Sequence, residues 1–472
     1  MRLPGLASLV LCAGDAIAHN ADLNGYPIPK LVGARKFLRD IRHEGRWEQS
    51  ITAPRGRRHG ASDLEERGDL EERQNTSGQC GPGFGSCAAG YCCSFAGWCG
   101  QGADYCSAPD CQINYGPACD GNQKPTGADT SKIARPKIGS IPYGGVGITD
   151  CINNNQIALT FDDGPYSYTN DLLDKLAKYN AKATFFITGN NLHKGKINDP
   201  STPWPAVIKR MAAEGHQIGS HTWSHQNYSQ LTTTQFQNQI YWNEIAFNDI
   251  LGYFPTYMRP PYSICPTKSC GAQLANLGYH VTYFDLDTEG YLHDDPTQIQ
   301  TSKNIWDQAV QGTDPCITDY LLIEHDIHYQ TVYNLTDYIL ASLFTHGYTA
   351  VTVGQCLGDP AQNWYRAGSK PVPSYTFTTR PATGTWSCLA GSTSTSTSAS
   401  TATSSSGGTK PTGTLQPSVD GTCGNGFTCD GSAYGNCCSQ YGFCGSSDDY
   451  CLAGCQTKFG SGCKVVASPS ST

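Results

Sequence analysis

The chain has 472 residues, 15% of them charged, with a formal net charge of -8. That length exceeds one ordinary domain and predicts several. The acidic balance excludes nucleic acid and an anionic membrane surface as main partners, and 23 cysteines point to an oxidising compartment.

Residues 1–18 read as a signal peptide: Arg2, an apolar stretch from Leu3 to Ala13, then the small-x-small pattern Ala16-Ile17-Ala18. No other run approaches the length of a membrane span, so a secreted or wall-associated protein is expected, acting as a monomer. Loss of Cys12 with the signal leaves an even number of cysteines, consistent with full disulfide pairing. Asn75, Asn227 and Asn334 stand in N-x-Ser/Thr sites for glycans. Residues 19–74 are Arg-rich, poor in apolar periodicity and carry Arg57-Arg58, which suits a pro-segment or disordered leader.

Two cysteine-dense units follow the same order, over 77–121 and 420–465. The first holds Cys80, Cys87, Cys92, Cys93, Cys99, Cys106, Cys111 and Cys119, and the second Cys423, Cys429, Cys437, Cys438, Cys444, Cys451, Cys455 and Cys463. A shared adjacent pair and shared spacing indicate an internal duplication. Each unit is too short for a core of its own and needs disulfides. Metal binding is disfavoured, because neither unit contains His. Both units resemble the hevein-like, type-1 chitin-binding domain. That family stacks N-acetylglucosamine rings on aromatic side chains beside a serine. The resemblance implies a chitin site at Ser439, Tyr441, Phe443 and Tyr450 in the second unit. In the first it implies Ser94, Trp98 and Tyr105, with Ala96 where an aromatic belongs and Phe95 as a displaced substitute. A Gly/Pro/Lys-rich stretch over 122–147 reads as a linker, and a Ser/Thr-rich one over 391–418 as an extended stalk.

Residues 148–388 alternate short apolar strands with helical patterns. Strands are expected at Ile157–Phe161, Ala183–Thr188, Gln217–Ser220, Thr256–Met258, His280–Asp285, Tyr320–Ile323 and Ala350–Val353. Helices are expected at Asn170–Tyr179, Trp204–Glu214, Thr233–Leu251 and Thr336–Thr345. The fold class is therefore α/β, a parallel sheet closed as a distorted (β/α) barrel, with two small disulfide-rich domains beside it. Polar residues cluster where strands end. The first ends in Asp162-Asp163-Gly164-Pro165; neighbours on an extended segment point opposite ways, so one aspartate suits a metal and the other substrate. The third runs into His221-Thr222-Trp223-Ser224-His225, whose two His converge on one metal if the backbone there turns helically. With Asp163 they make a two-His, one-carboxylate set with room for water. Arg259-Pro260-Pro261-Tyr262 holds an Arg rigidly enough for a bidentate pair with a carboxylate. Asp285-Leu286-Asp287 and Glu324-His325-Asp326 close the series.

Together these motifs resemble the polysaccharide deacetylases, the NodB-homology group or family 4 carbohydrate esterases, over roughly residues 156–353. The resemblance implies a divalent metal, Zn2+ or Co2+, on Asp163, His221 and His225. It implies Asp162 as general base oriented by Arg259, and an oxyanion donor in the Tyr262 backbone N–H. His325 becomes the general acid, kept protonated by Asp287. One departure stands out: the fourth motif usually ends in Asp-Trp, and here Gly290-Tyr291 takes that place, with Tyr291 left to wall the pocket. An acid–base pair of this kind predicts a bell-shaped pH dependence. The implied activity is hydrolysis of N-acetyl groups of chitin. The alternatives are a catalytically impaired, lectin-like chitin binder or a deacetylase of peptidoglycan or xylan. Disulfides Cys265–Cys270, Cys151–Cys356 and, by elimination, Cys316–Cys388 are expected in the central domain.

Overall fold

The computed structural model describes residues 78–383 except 266–267, 312 and 376–379. Of the C-terminal cysteine unit and its approach it describes 415–418, 423, 427–432, 434–439, 444–446, 448–451 and 455–464. The signal peptide, the leader, Asn75, most of the Ser/Thr tract, Cys388, Tyr441 and Phe443 lie outside the described residues.

Strand β1 (Gln156–Asp162) is the axis of the central domain, buried at every residue after the first. It pairs in parallel along its length with β7 (Tyr320–His325). Its other edge is shared by β8 (Thr349–Val351) at its start and β2 (Thr184–Ile187) at its end. Beyond β2 come β3 (Gln217–Ser220), β4 (Tyr257–Met258) and β5 (His280–Val281); beyond β7 lies β6 (Leu286–Asp287). All these pairings are parallel. The two outermost strands, β5 and β6, are halves of one segment, 280–287, so the sheet closes on itself through residues 282–285. At that seam Asp285 accepts the Leu321 N–H at 2.7 Å, a structural use of a carboxylate that the sequence had placed at a strand end with the site residues. The expected barrel is present, and its distortion lies where one strand does the work of two.

Helices α1 (Thr169–Lys178), α2 (Trp204–Ala213), α3 (Thr233–Leu251), α4 (Lys268–Asn276), α5 (Ile299–Val310) and α6 (Thr336–Thr345) surround the sheet. Helix α1 shows why: Leu172, Leu173 and Leu176 recur at helical spacing, and all three are buried. A capping box of Thr232 and Gln235 starts α3, and Gly252 at φ 90° ends it in the left-handed conformation that glycine tolerates best. Cys151–Cys356 and Cys265–Cys270 form as expected. Cys316 is also disulfide-bonded.

The N-terminal cysteine unit packs on the barrel through its second half. Ala108 O accepts the Leu192 N–H at 2.8 Å, Asp120 O accepts Asn190 Nδ2 at 3.1 Å, and Asn114 Oδ1 accepts Gln235 Nε2 at 2.6 Å. The segment read as a linker is fixed as well. Arg135 clamps the buried Glu244 with two bonds of 2.8 and 2.7 Å, and Thr130 and Tyr279 donate to the same carboxylate at 2.7 Å. Its Gly/Pro-rich composition reflects a chain following a contoured surface.

The two cysteine units repeat one connectivity. Cys80–Cys93, Cys87–Cys99, Cys92–Cys106 and Cys111–Cys119 match Cys423–Cys438, Cys429–Cys444, Cys437–Cys451 and Cys455–Cys463. Both carry the same two-stranded ribbon, Cys92–Cys93 with Cys99–Gly100 and Cys437–Cys438 with Cys444–Gly445. Among the described residues no helix is long and apolar enough to cross a membrane.

Candidate active site

The parallel sheet brings the candidate residues to its C-terminal end, where β1 and β7 stop side by side and β3 stops one strand away, beyond β2. Asp162 ends β1 and Asp163 follows it with φ 75°. That positive φ turns the second aspartate back toward the first, so the opposite orientation expected of neighbours on an extended strand does not hold. His221 Nε2 lies 3.8 Å from Asp162 Oδ2 and 3.7 Å from Asp163 Oδ1. His225 Nε2 lies 3.4 Å from the same Asp163 oxygen. The loop between the two histidines is not helical. It reverses through Thr222 at φ 71° and His225 at φ 53°, which brings the imidazole centroids to 4.9 Å.

Asp163, His221 and His225 offer ligand atoms that all lie within 4.8 Å of one another. His221 Nδ1 sits 2.7 Å from the Arg259 carbonyl oxygen, which fixes the proton on Nδ1 and leaves Nε2 with its lone pair toward Asp163. Burial, and then His225, pushes His221 down to about 3; burial, and then Lys194, does the same to His225. Both rings are thus neutral at any ordinary pH, the form that a metal ligand requires. Asp163 Oδ1 is buried and has no hydrogen-bond partner. A buried carboxylate oxygen facing two imidazole lone pairs is unfavourable alone and fits a divalent cation.

Asp162 is held differently. Arg259, fully buried, donates from Nη1 to Asp162 Oδ1 at 2.8 Å and to Thr160 Oγ1 at 2.8 Å. The pair is single rather than bidentate, because Nη2 donates to Tyr283 O at 2.7 Å and Nε to Thr282 O at 3.3 Å. Those carbonyls belong to the segment that closes the barrel, so Arg259 ties the seam to the aspartate. Burial pushes Asp162 up to about 7; Arg259 opposes the shift and Asp163 adds to it.

A polysaccharide deacetylase family profile matches residues 150–282. A chitin deacetylase of Pestalotiopsis sp is 39% identical over 336 residues, covering 71% of this chain and 95% of that protein. The chain belongs to the polysaccharide deacetylases. A chitin deacetylase of Colletotrichum lindemuthianum is 39% identical over 239 residues, covering 51% of this chain and 92% of the relative. A peptidoglycan-N-acetylglucosamine deacetylase of Listeria monocytogenes is 35% identical over 211 residues, covering 44% of this chain and 40% of its own.

The remaining site residues of this deacetylase fall as follows. His325 ends β7 in register with Asp162. The Tyr291 ring stands edge-on to it at 5.3 Å between centroids. Asp287 makes no ion pair or hydrogen bond with His325. Its carboxylate accepts the Glu289 N–H at 2.7 Å and the Tyr291 hydroxyl at 3.5 Å, so it reaches the imidazole only through Tyr291. Burial, and then His328, depresses His325 well below the usual imidazole range. Tyr262 has φ 56° in a turn after Pro261, and its ring lies 4.5 Å from that of His225.

The Gly290 departure has a structural counterpart. A Cβ at Gly290 would stand 2.7 Å from Glu324 Oε2 and 2.8 Å from Thr331 Oγ1. The buried Glu324 carboxyl, bonded to Thr288 Oγ1 and pushed up by burial to about 8, fills the space that a side chain at 290 would take. Lys194 escaped the sequence reading altogether. Its buried Nζ donates to Asp163 O and Gly164 O at 2.9 Å each and to Thr188 Oγ1 at 3.0 Å, pinning the turn that presents Asp163. A lysine in a Gly/Asn-rich loop carries no periodicity, and only the fold shows that it points inward.

In the cysteine units, Ser94 is buried with its Oγ accepting the Trp98 N–H at 3.2 Å, while Trp98 and Phe95 are well exposed. Gln112 and Gln456 donate to Ser94 O and Ser439 O alike, at 2.8 Å. The rings of Tyr105 and Tyr450 lie over Gly100 and Gly445, where a Cβ would come within 2.3 and 2.2 Å of them. Four of the seven residues inferred for sugar binding thus occupy equivalent places in the two units, as Ser94/Ser439 and Tyr105/Tyr450, with Trp98 bonded to Ser94 in the first.

Proposed function

We propose that the protein is a secreted chitin deacetylase that hydrolyses the acetamido groups of N-acetylglucosamine units to amine and acetate. The observation that carries this reading is the 39% identity across nearly the whole of a chitin deacetylase. The two cysteine units, read as chitin-binding domains, supply the polymer preference: a tethered second site raises the local concentration of the same chain.

A divalent cation held by Asp163, His221 and His225, zinc or cobalt, supplies Lewis acidity for the amide carbonyl and acidifies the attacking water. Asp162 Oδ2 takes the water's proton while Arg259 holds Oδ1. The Tyr262 backbone N–H faces the carbonyl oxygen as it gains charge. His325 gives its proton to the departing nitrogen, without which that amine would be a poor leaving group. Asp287 fixes the Tyr291 hydroxyl, whose ring stands against His325.

Acetate release from chitin oligomers, peptidoglycan and acetylxylan, with zinc and after EDTA, tests the reading. Zinc-dependent release from chitin in clear preference to the others is expected. Chitin binding without acetate release would leave the lectin-like alternative.

A further inference from the structure

The C-terminal end of the barrel carries four tyrosines that the chemistry above does not use. Tyr166 and Tyr168 follow Asp163 on the exit of β1, and Tyr329 and Tyr333 follow His325 on the exit of β7. These strands are neighbours and carry the inferred base and acid. The rings meet as a cluster: Tyr329 and Tyr333 lie 4.5 Å apart at 38°, and Tyr168 meets both edge-on at 5.7 Å. Tyr166 closes the group at 6.2 Å from Tyr168.

The cluster is tied to the catalytic end. Thr169 Oγ1 accepts the Tyr166 N–H at 2.7 Å and donates to Asp326 Oδ2 at 2.5 Å, beside His325. Tyr333 is fixed by a hydrogen bond to Asp171 and lies under the Lys175 ammonium. It sits within a π-helical turn, Thr331–Leu335, a distortion often found at functional sites. Tyr168 and Tyr333 also pack on the core, but Tyr329 does not: it is 49% exposed. Three half-buried rings therefore hold a fourth at the surface. A rigid exposed ring at the lip of a carbohydrate site suits the apolar face of a pyranose.

We propose that Tyr329, backed by Tyr168 and Tyr333, is a stacking subsite for an N-acetylglucosamine unit flanking the one that is deacetylated. This rests on the chitin deacetylase reading and names a contact beyond the reacting sugar. Loss of the ring should raise KM for long oligomers and spare the bond-breaking step.

The test uses the full-length, zinc-loaded protein and chitin oligomers of two to six units. Tyr329→Ala should raise KM for the hexamer about 2- to 12-fold, the range of one aromatic contact, with kcat within about twofold and the disaccharide least affected. Tyr329→Phe should stay near wild type, since the ring and not the hydroxyl does the stacking. Equal KM values for Tyr329→Ala and wild type at every length would overturn the subsite, as would an equal KM rise at every length. A second readout is independent of catalysis. The hexamer should protect Tyr329 from nitration by tetranitromethane, followed by peptide mass spectrometry, and unchanged nitration would overturn the proposal. If the wild type releases no acetate from any oligomer the deacetylase reading falls, and the nitration result still judges the subsite.

Discussion

Replacing Asp162 with Asn tests its proposed role as base apart from metal binding, and exposes the cost of burying its carboxylate. The change removes the proton acceptor, but Asp163, His221 and His225 keep their geometry. Acetate release should fall by about 10²–10⁴, the usual contribution of a positioned general base, while zinc affinity stays within severalfold of wild type. The second effect is on stability. Burial raises Asp162 from 3.8 to about 7 in the fold. A folded pKa above the unfolded one means that the native state favours the protonated form. Its contribution is therefore complete below pH 3.8 and is lost as pH rises to about 7. Over that span of about three pH units the loss is on the order of 4 kcal/mol, at about 1.36 kcal/mol per unit. Asparagine does not ionise, so the variant escapes this loss.

Metal-free protein, prepared with EDTA, is the right material, because a bound cation would itself hold Asp162 ionised. Thermal unfolding of both proteins from pH 4 to pH 8 should show the variant gaining about 10 °C relative to wild type across the range, at about 2–4 °C per kcal/mol for a domain of this size. Parallel Tm–pH curves would refute the claim that Asp162 carries a burial-raised pKa. Retained acetate release would refute its role as base.

Three further outcomes follow from particular contacts. Cys151–Cys356 closes a loop of 205 residues, so Cys151→Ala with Cys356→Ala should lower Tm by about 10 °C or more, the chain-entropy effect being at most about 5 kcal/mol, with acetate release at 25 °C kept. A Cβ at Gly121 would meet Ser224 Oγ at 2.8 Å; Gly121→Val should therefore loosen the N-terminal unit and speed amide exchange over 221–226, with weaker zinc binding by titration. Gly290→Asp should lose stability and activity against Glu324, and Glu324→Ser in the same chain should restore much of both, as thermal unfolding and acetate release would show.

Much of this site was legible because its chemistry sits where strands stop. The strand Gln217–Ser220 and the helices Thr233–Leu251 and Thr336–Thr345 lie where apolar spacing placed them, and the polar residues after the strands converge as that topology requires. The details that were not legible are set by backbone conformation and long-range contact. The turn at Asp163 depends on a positive φ and on Lys194, 31 residues away. The stretch 280–285, read as one strand, pairs as a strand only at 280–281, because Arg259 and Leu321 hold its far half and the second edge strand starts at Leu286. The stretch 122–147 looks like a linker by composition, yet Arg135 and Thr130 meet Glu244 more than a hundred residues away. Local pattern carries no record of such partners.

Gly290 shows how a motif can depart from its family without leaving a hole. Read alone, the glycine removes a carboxylate from the fourth motif and invites the conclusion that catalysis is impaired. In the fold, β6 and β7 are paired at Ile323 and Asp287, which brings Glu324 against the turn that begins at Glu289. A Cβ at position 290 would stand 2.7 Å from Glu324 Oε2, so the end of that side chain would have to shift to admit one. A side chain one residue before His325 has taken the space of one three residues after Asp287. Two positions far apart in sequence thus compete for one space, and the carboxyl group that stands there is that of Glu324. The lectin-like reading rested on treating position 290 by itself. Judged as a pair with Glu324, the departure predicts an exchange: recovery of activity in the doubly substituted Gly290→Asp, Glu324→Ser chain would show it, and no recovery would make the departure a loss.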